Sequence, residues 1–246
     1  MSRVICWTSA GAASAVAGKM LQNKFGDDVI YAYCETNAEH IDNTRFLTDL
    51  EKWYGQEIIR LKSEIYVDTW DVWKSRNYLA GISGAPCTSE LKIKPRLKFQ
   101  RTGDTHVFGY TADKLDAMRA ERLRLNWPEI KVETPLIDGG ITKSACLAIL
   151  EKAGIIPPAL YALGYPNNNC IPCVKATSPN YWSLVRSTHP GEFNRMAKLS
   201  RKLNVKLCRI GGKRAFIDEI PPDWPTISPT VPTCDFLCQL AEMGLE

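Results

Sequence analysis

The feature that most constrains this sequence is a repeated switch of hydrophobic period along its first half. Short apolar runs with strand character, at residues 4–7, 29–34, 57–61 and 105–110, alternate with helical stretches at residues 14–21 and 40–54 and a charged segment ending at Arg124. In residues 40–54 the helical spacing is carried by Ile41, Phe46, Leu50 and Trp53, and Gly55 stops it. Strands separated by helices imply βαβ units and a mostly parallel sheet, so the expected class is α/β, a Rossmann-like sheet flanked by helices. In such sheets ligands bind in the loops beyond the carboxyl ends of the strands.

The second half reads differently. Asp138-Gly-Gly precedes Thr142, an expected N-cap, and a helix running to Gly154. Pro157-Pro158 breaks the chain, residues 165–173 form a loop of turn residues, and a helix over residues 181–203 is interrupted near His189-Pro190-Gly191. The proline-rich residues 221–232 read as an extended tether spanning roughly 35 Å at about 3.1 Å per residue. It would carry Cys234 and Cys238 back across the molecule. The expected division is residues 1–180 as an α/β domain and residues 181–246 as a helical appendage with a cysteine-bearing tail.

Composition narrows the function classes. A length of 246 residues suits one sizeable domain with an appendage. The net charge of +4 permits an anionic ligand without arguing for nucleic acid. No apolar run reaches the roughly 18 residues of a membrane helix, and the opening apolar run is too short for a secretory signal, so a cytoplasmic protein is expected.

Nine cysteines are many for a cytoplasmic enzyme, and the number is odd. Without a secretory signal a disulfide framework is not expected, which leaves metal ligands, redox groups and core residues. Cys6, Cys146 and Cys208 lie in apolar contexts and read as core. Cys170-x-x-Cys173 lies in an Asn-rich loop, where two sulfurs can turn toward one ion or cluster; as a bare motif it equally suits half a zinc site or a redox dithiol. His40, His106 and His189 are not spaced as a metal pair. Glu35 and Glu39 sit where adenine or ribose contacts, or simple helix N-terminal charge, would place them.

After the first strand comes Thr8-Ser9-Ala10-Gly11-Ala12-Ala13-Ser14. Small residues let a backbone approach a ligand, and amides at a helix start favour phosphate, although a tight strand–helix turn has the same composition. The loop resembles the PP-loop of the adenine nucleotide alpha-hydrolase superfamily, Ser-Gly-Gly-Lys-Asp-Ser. Ser9, Gly11 and Ser14 match, while Ala10, Ala12 and Ala13 replace the glycine at the second position, the lysine and the aspartate. Losing the lysine removes a mobile charge for polyphosphate and suits the reductase branch, in which the nucleotide is held rather than split at its α-phosphate.

Four further segments, in the right order, resemble the phosphoadenosine-phosphosulfate (PAPS) reductase family over roughly residues 1–180. They are the stretch from Tyr33 to Phe46, the stretch from Val107 through Arg119, Thr134-Pro-Leu, and Leu160-Tyr-Ala-Leu-Gly-Tyr running to Cys170-Ile-Pro-Cys173. Gly109 and Arg119 correspond to the family's Gly-x-Arg-x-x-Glu-x-x-x-Arg segment, with Tyr110 in place of its first arginine. The resemblance implies an adenine nucleotide or sulfonucleotide ligand held by Ser9, Gly11, Ser14, Gly109 and Arg119, and a thiol reductant protein as partner. It also implies a 4Fe-4S cluster on Cys87, Cys170 and Cys173, since the upstream Gly84-Ala-Pro-Cys87-Thr88 offers one cysteine where the family has a pair.

Thr233-Cys234-Asp-Phe-Leu-Cys238 faintly resembles the family's C-terminal Glu-Cys-Gly-Leu-His. This makes Cys234 the candidate nucleophile and Cys238 the fourth cluster ligand, although the exchanged assignment is equally simple. Zinc on the same four cysteines is the alternative cofactor. The basic run Lys92, Lys94, Arg96, Lys98 and Arg101 would gather around an anion, or in part form a solvated face, as expected at least for Lys98 and Arg101. Three readings follow: a reductase or sulfur-transfer enzyme, a cluster-dependent enzyme that thiolates nucleic acid or a nucleoside, and a non-catalytic nucleotide-binding module with structural zinc.

Overall fold

A computed structural model describes residues 3–81 and 84–226. Cys234 and Cys238, the expected nucleophile and fourth ligand, lie outside the described residues. The chain order is β1 (Val4–Thr8), α1 (Ala12–Phe25), β2 (Val29–Cys34), α2 (Asn43–Tyr54), β3 (Ile58–Leu61) and α3 (Thr69–Arg76). There follow α4 (Pro86–Thr88), a π-helical turn (Ser89–Ile93), α5 (Lys94–Phe99), β4 (Thr105–Phe108), α6 (Lys114–Asn126) and β5 (Lys131–Glu133). The remainder comprises α7 (Pro135–Asp138), α8 (Lys143–Lys152), α9 (Ala159–Ala162), α10 (Pro179–Thr188), α11 (Pro190–Lys202), β6 (Cys208–Ile210) and β7 (Lys213–Ala215).

The first five strands form one sheet in the order β3-β2-β1-β4-β5, every pairing parallel, with Val4 opposite both Val29 and Thr105. The strand order reverses at β1, which opens a crevice beyond Thr8, where open α/β sheets take ligands. Alternation assigns the two faces. Cys6, Val29, Tyr31 and Tyr33 share one core with residues of α1, α2 and α8, while Ile5, Trp7 and Ala32 meet Cys34, Phe99 and Phe108 on the other face. Gly18 is needed on the first face, because a Cβ there would stand 2.7 Å from the Tyr54 hydroxyl. The stacked Tyr31–Tyr54 pair at 4.2 Å then donates its hydroxyls to the Gly18 and Ala15 carbonyls of α1. Such a pair adds about 0.5–1.5 kcal/mol to the burial of its area.

A second core joins Trp70, Trp73 and Leu79 to Leu160, Tyr165, Trp182, Phe193, Met196 and Ile217, so residues on both sides of position 180 share it. The expected break at His189 separates α10 from α11. Cys6, Cys146 and Cys208 are buried, as their apolar contexts imply. The beginning of the expected tether is corrected. The Trp224 N–H donates to the Pro221 carbonyl at 3.1 Å, forming a turn, because Trp224 folds back onto the second core and its carbonyl accepts from Ser183 at 2.6 Å. Among the described residues, no helix is long and apolar enough to cross a membrane.

Candidate functional site: a cysteine-lined cavity

A cavity of about 620 Å³ is lined by Cys87, Cys170 and Cys173 together with Lys92, Arg119 and Lys175. Thr36, from the loop after β2, and Thr69 and Trp73, from α3, complete the walls used below. Local structure explains how each group arrives there. Pro86 occupies the first turn of α4, where its missing N–H costs nothing, and sets the start of the helix carrying Cys87. The π-helical turn that follows places Lys92 at the cavity; π turns recur at functional positions because the extra residue re-aims side chains. This turn is held by Glu90, which is 6% exposed and accepts from Arg76 at 2.5 Å and Lys94 at 2.7 Å.

The cysteine loop is seated on the loops after β1 and β2. Ile171 N–H donates to the Ala38 carbonyl at 2.9 Å, and Asn168 donates to the Ala10 carbonyl at 2.5 Å and to Asn43 at 2.8 Å. Cys170 Sγ lies 3.0 Å from the Thr36 hydroxyl and donates to Glu39 Oε1 at 3.6 Å. On its other side the loop is fixed by the Cys173 N–H, which donates to the Tyr181 hydroxyl at 2.7 Å.

Electrostatics at the cavity are a contest between burial and charge. Burial pushes the Cys170 thiol up to about 12, with Lys92 working against it, and raises Cys87, with Trp73 the first opposing influence. Thiols held this high are protonated at neutral pH and are weak nucleophiles unless a metal takes the place of the proton. Burial also disfavours the Lys92 ammonium, but Cys170, Glu39, Cys34 and Cys173 together outweigh it and leave its pKa raised. Cys34, at the end of β2, has its thiol pushed up to about 11 by burial and donates to the Lys92 carbonyl at 3.6 Å.

Other members of the basic run separate into distinct environments. Arg96 is buried with its guanidinium 5.2 Å from the Trp127 ring and 5.9 Å from that of Phe108. Lys98 pairs with Glu64 at the surface and Arg101 is exposed, in keeping with a solvated face. Glu35 pairs with Lys62 at 3.0 Å. His106 is buried and accepts the Trp7 indole N–H at 3.0 Å, and burial lowers its pKa, which keeps it neutral.

Arg119 reaches the cavity while ion-paired to Asp116 at 2.9 Å. Ser9, Gly11, Ser14 and Gly109 do not line it. They form a knot of their own, in which the Ser14 hydroxyl accepts the Ser9 N–H and donates to the Gly11 carbonyl, each at 3.0 Å. The Ala12 N–H at the start of α1 donates to the Tyr161 hydroxyl at 3.2 Å. Gly109 packs against the first turn of α1, where a Cβ would stand 2.5 Å from Ser14 N. The knot and the cavity are connected through Asn168, whose side chain holds the loop and whose neighbours Asn167 and Asn169 line the cavity.

Sequence reasoning missed Thr36, Thr69, Trp73 and Tyr161. Only Thr36 carried a signal, as a polar residue directly beyond a strand end. Among the described residues, no three His, Cys, Asp or Glu side chains stand close enough to hold a single metal ion.

No family model matches the sequence, and no curated protein matches it. Among solved structures, the phosphate complex of phosphoadenylyl-sulfate (PAPS) reductase from Candida auris aligns with a TM-score of 0.53. The alignment covers 70% of this chain and 82% of that one, at 13% identity. The fold is that of PAPS reductase. The sheet order and the flanking helices follow the PAPS reductase pattern that the segment resemblances imply.

Proposed function

We propose that the chain is a PAPS-reductase-like enzyme that binds an adenine sulfonucleotide and reduces or transfers its sulfur, with a 4Fe-4S cluster on Cys87, Cys170 and Cys173. The observation that carries this reading is the gathering of three thiols and three cations on one cavity. Three cysteine thiols on one cavity are a donor set that an iron–sulfur cluster takes. A hydroxyl also lies against the Cys170 sulfur, as hydrogen-bond donors do around ligating sulfurs.

In this reading Lys92, Arg119 and Lys175 bind and orient the anionic end of the nucleotide. Thr36 and Glu39 fix Cys170. The cluster supplies local charge that tunes the site. Cys234 from the tail attacks: its thiolate forms a bond to the sulfate sulfur while the S–O bond to the nucleotide breaks, and the nucleotide phosphate leaves with the electron pair. A thiol reductant protein supplies the two electrons that then release sulfite.

Anaerobic purification with iron, sulfide and zinc analysis tests the reading. About four irons and four sulfides per chain are expected, lost in Cys87→Ser, Cys170→Ser and Cys173→Ser and retained in Cys146→Ala. Calorimetric titration with adenosine 5′-phosphosulfate and its 3′-phosphorylated form then identifies the ligand. Stoichiometric zinc without iron, or no binding of either nucleotide, overturns it.

A further inference from the structure

The chain's net charge of +4 conceals a block of one sign. Residues 195–214 hold eight lysines and arginines and no aspartate or glutamate. All eight are exposed. Exposed cations elsewhere carry their own counterions, as Lys98 does in Glu64 and Arg124 in Glu121. In this block only Arg201 is neutralised, by Asp218 at 2.9 Å and Glu219 at 3.1 Å. Among the described residues, the other seven make no ion pair.

The fold gathers these cations at the end of α11 and on the β6–β7 ribbon. Lys206 Nζ and the Arg201 guanidinium share the Phe216 ring, at 5.5 and 3.9 Å from its centre. Arg214 donates to the Lys206 carbonyl at 3.2 Å, and Arg209 donates to the Gly212 carbonyl at 3.5 Å. Arg209 and Arg214 stand directly opposite each other in the antiparallel ladder, so their side chains share one face of the ribbon. Like charges in that arrangement weaken a strand pair, and a two-stranded ribbon is marginal to begin with. Packing calls for arginine at neither of these exposed positions. An anion bridging the two removes the repulsion.

Shape and chemistry suit a regular array of phosphates. Gly211 and Gly212, both at positive φ, close the ribbon in a tight turn and leave it a narrow projection. The major groove of B-form DNA admits a two-stranded ribbon, whereas that of an A-form duplex is too narrow for side chains to read. Guanidinium groups meet phosphate through paired N–H donors. A single strand would call for exposed aromatic rings on which its bases stack, and a lipid surface for exposed apolar side chains beside the cations. Residues 190–226 expose no large hydrophobic side chain, and Phe216 is buried. The ribbon also adjoins the cavity rim. Arg209 N–H donates to the Thr177 carbonyl at 2.9 Å, and the exposed Lys175, two residues earlier, lines the cavity.

We infer that the β6–β7 ribbon and the adjoining end of α11 form a docking surface for the phosphate backbone of duplex DNA, beside the rim of the cavity. The inference goes beyond the sulfonucleotide reading and does not depend on what the thiols hold.

Fluorescence anisotropy of the full chain with a labelled DNA duplex, read across a salt series, tests it. Binding at about 1–100 µM near physiological salt is expected for a contact made to the backbone alone. Arg209→Ala combined with Arg214→Ala should weaken binding several-fold. It should also make the log–log salt dependence shallower by about 1.8, the value for two phosphates. This variant should melt no lower than wild type, because it relieves the cross-strand repulsion, so lost affinity is not lost fold. Should the ribbon nevertheless unfold, Lys202→Ala combined with Lys206→Ala decides the matter from the α11 side. Lys52→Ala combined with Lys131→Ala removes the same charge elsewhere and should leave the affinity nearly unchanged. No binding by wild type, wild-type affinity in the ribbon variant, or an equal loss in the control variant overturns the inference. So does tighter binding to a single strand, to duplex RNA of the same sequence or to phosphatidylserine vesicles.

Discussion

Gly109→Ala and Gly191→Ala are the same chemical change, and the structure gives them opposite signs. At Gly109 a Cβ would stand 2.5 Å from Ser14 N, 2.6 Å from Ser14 Cα and 2.8 Å from the Ala13 carbonyl carbon. All three are backbone atoms of the first turn of α1, so no side chain can rotate away. Reaching an ordinary 3.4 Å contact requires Ser14 to retreat by about 0.9 Å, against a helix whose opposite side is packed on α8 and Tyr54. Overpacking of this kind costs about 1–3 kcal/mol, and the backbone contacts argue for the upper part of that range. For a chain of this length each kcal/mol moves Tm by roughly 2–4 °C, so a fall of about 4–12 °C is expected. At Gly191, in the first turn of α11, a Cβ meets nothing within 4 Å. There alanine restricts the unfolded chain without strain and should be neutral or stabilising by up to about 1 kcal/mol. Differential scanning calorimetry of the two variants side by side is the assay. If Gly109→Ala melts with Gly191→Ala, the glycine is not there for packing, and its assignment to nucleotide contact regains priority.

Two further outcomes follow from the same geometry. Burial favours the protonated form of Glu90, but Lys94 and Arg76 outweigh it and hold the carboxyl below its ordinary value near 4.5. Its contribution is therefore present above that value and lost as pH falls through the lower, folded-state pKa. Glu90→Gln should cost about 1 kcal/mol at pH 7, a modest figure because both cations remain half exposed to water. The cost should shrink as the solution is made acidic, and a gap that stays constant in urea titrations at successively lower pH contradicts the ion-pair account. Tyr161→Phe frees the Ala12 N–H at the start of α1. Inorganic phosphate should then bind several-fold more tightly by calorimetry, and an unchanged affinity would mean that phosphate does not reach this loop.

The sheet was legible because its evidence is periodic: apolar runs at residues 4–7, 29–34 and 105–110 became β1, β2 and β4 with little change of boundary. α3 was not legible. Thr-Trp-Asp-Val-Trp is poor in helix formers, and the helix stands because Trp70 and Trp73 are buried in the second core and Asp68 and Asn77 cap it. The helix over residues 86–99 escaped for a different reason. Its π turn inserts an extra residue into the repeat, so positions after Ser89 fall out of the 3.6-residue register that sequence reading relies on. The same slip explains the site. Cys87, Cys170 and Cys173 could be chosen by residue type, but nothing in a run of alternating cations distinguishes Lys92, at the cavity, from Lys98, at the surface.

The altered phosphate loop has a structural counterpart in the cysteine loop. Ala10 and Ala12 are fully buried, so a lysine at position 12 would have to lift its charge out from beneath Tyr161. The Ala12 amide is engaged by the Tyr161 hydroxyl, and the Ala10 carbonyl by Asn168, two residues before Cys170 in the chain. Positions that in a PP-loop would grip polyphosphate are here spent in part on seating the cysteine loop, and the same contacts fix where its sulfurs point. A phosphate approaching the Ala12 amide must displace the Tyr161 hydroxyl. An anion entering the cavity meets Lys92, Arg119 and Lys175 without displacing any of these contacts. The proposed reading therefore puts the charged end of a nucleotide at the cations beside the thiols rather than at the start of α1.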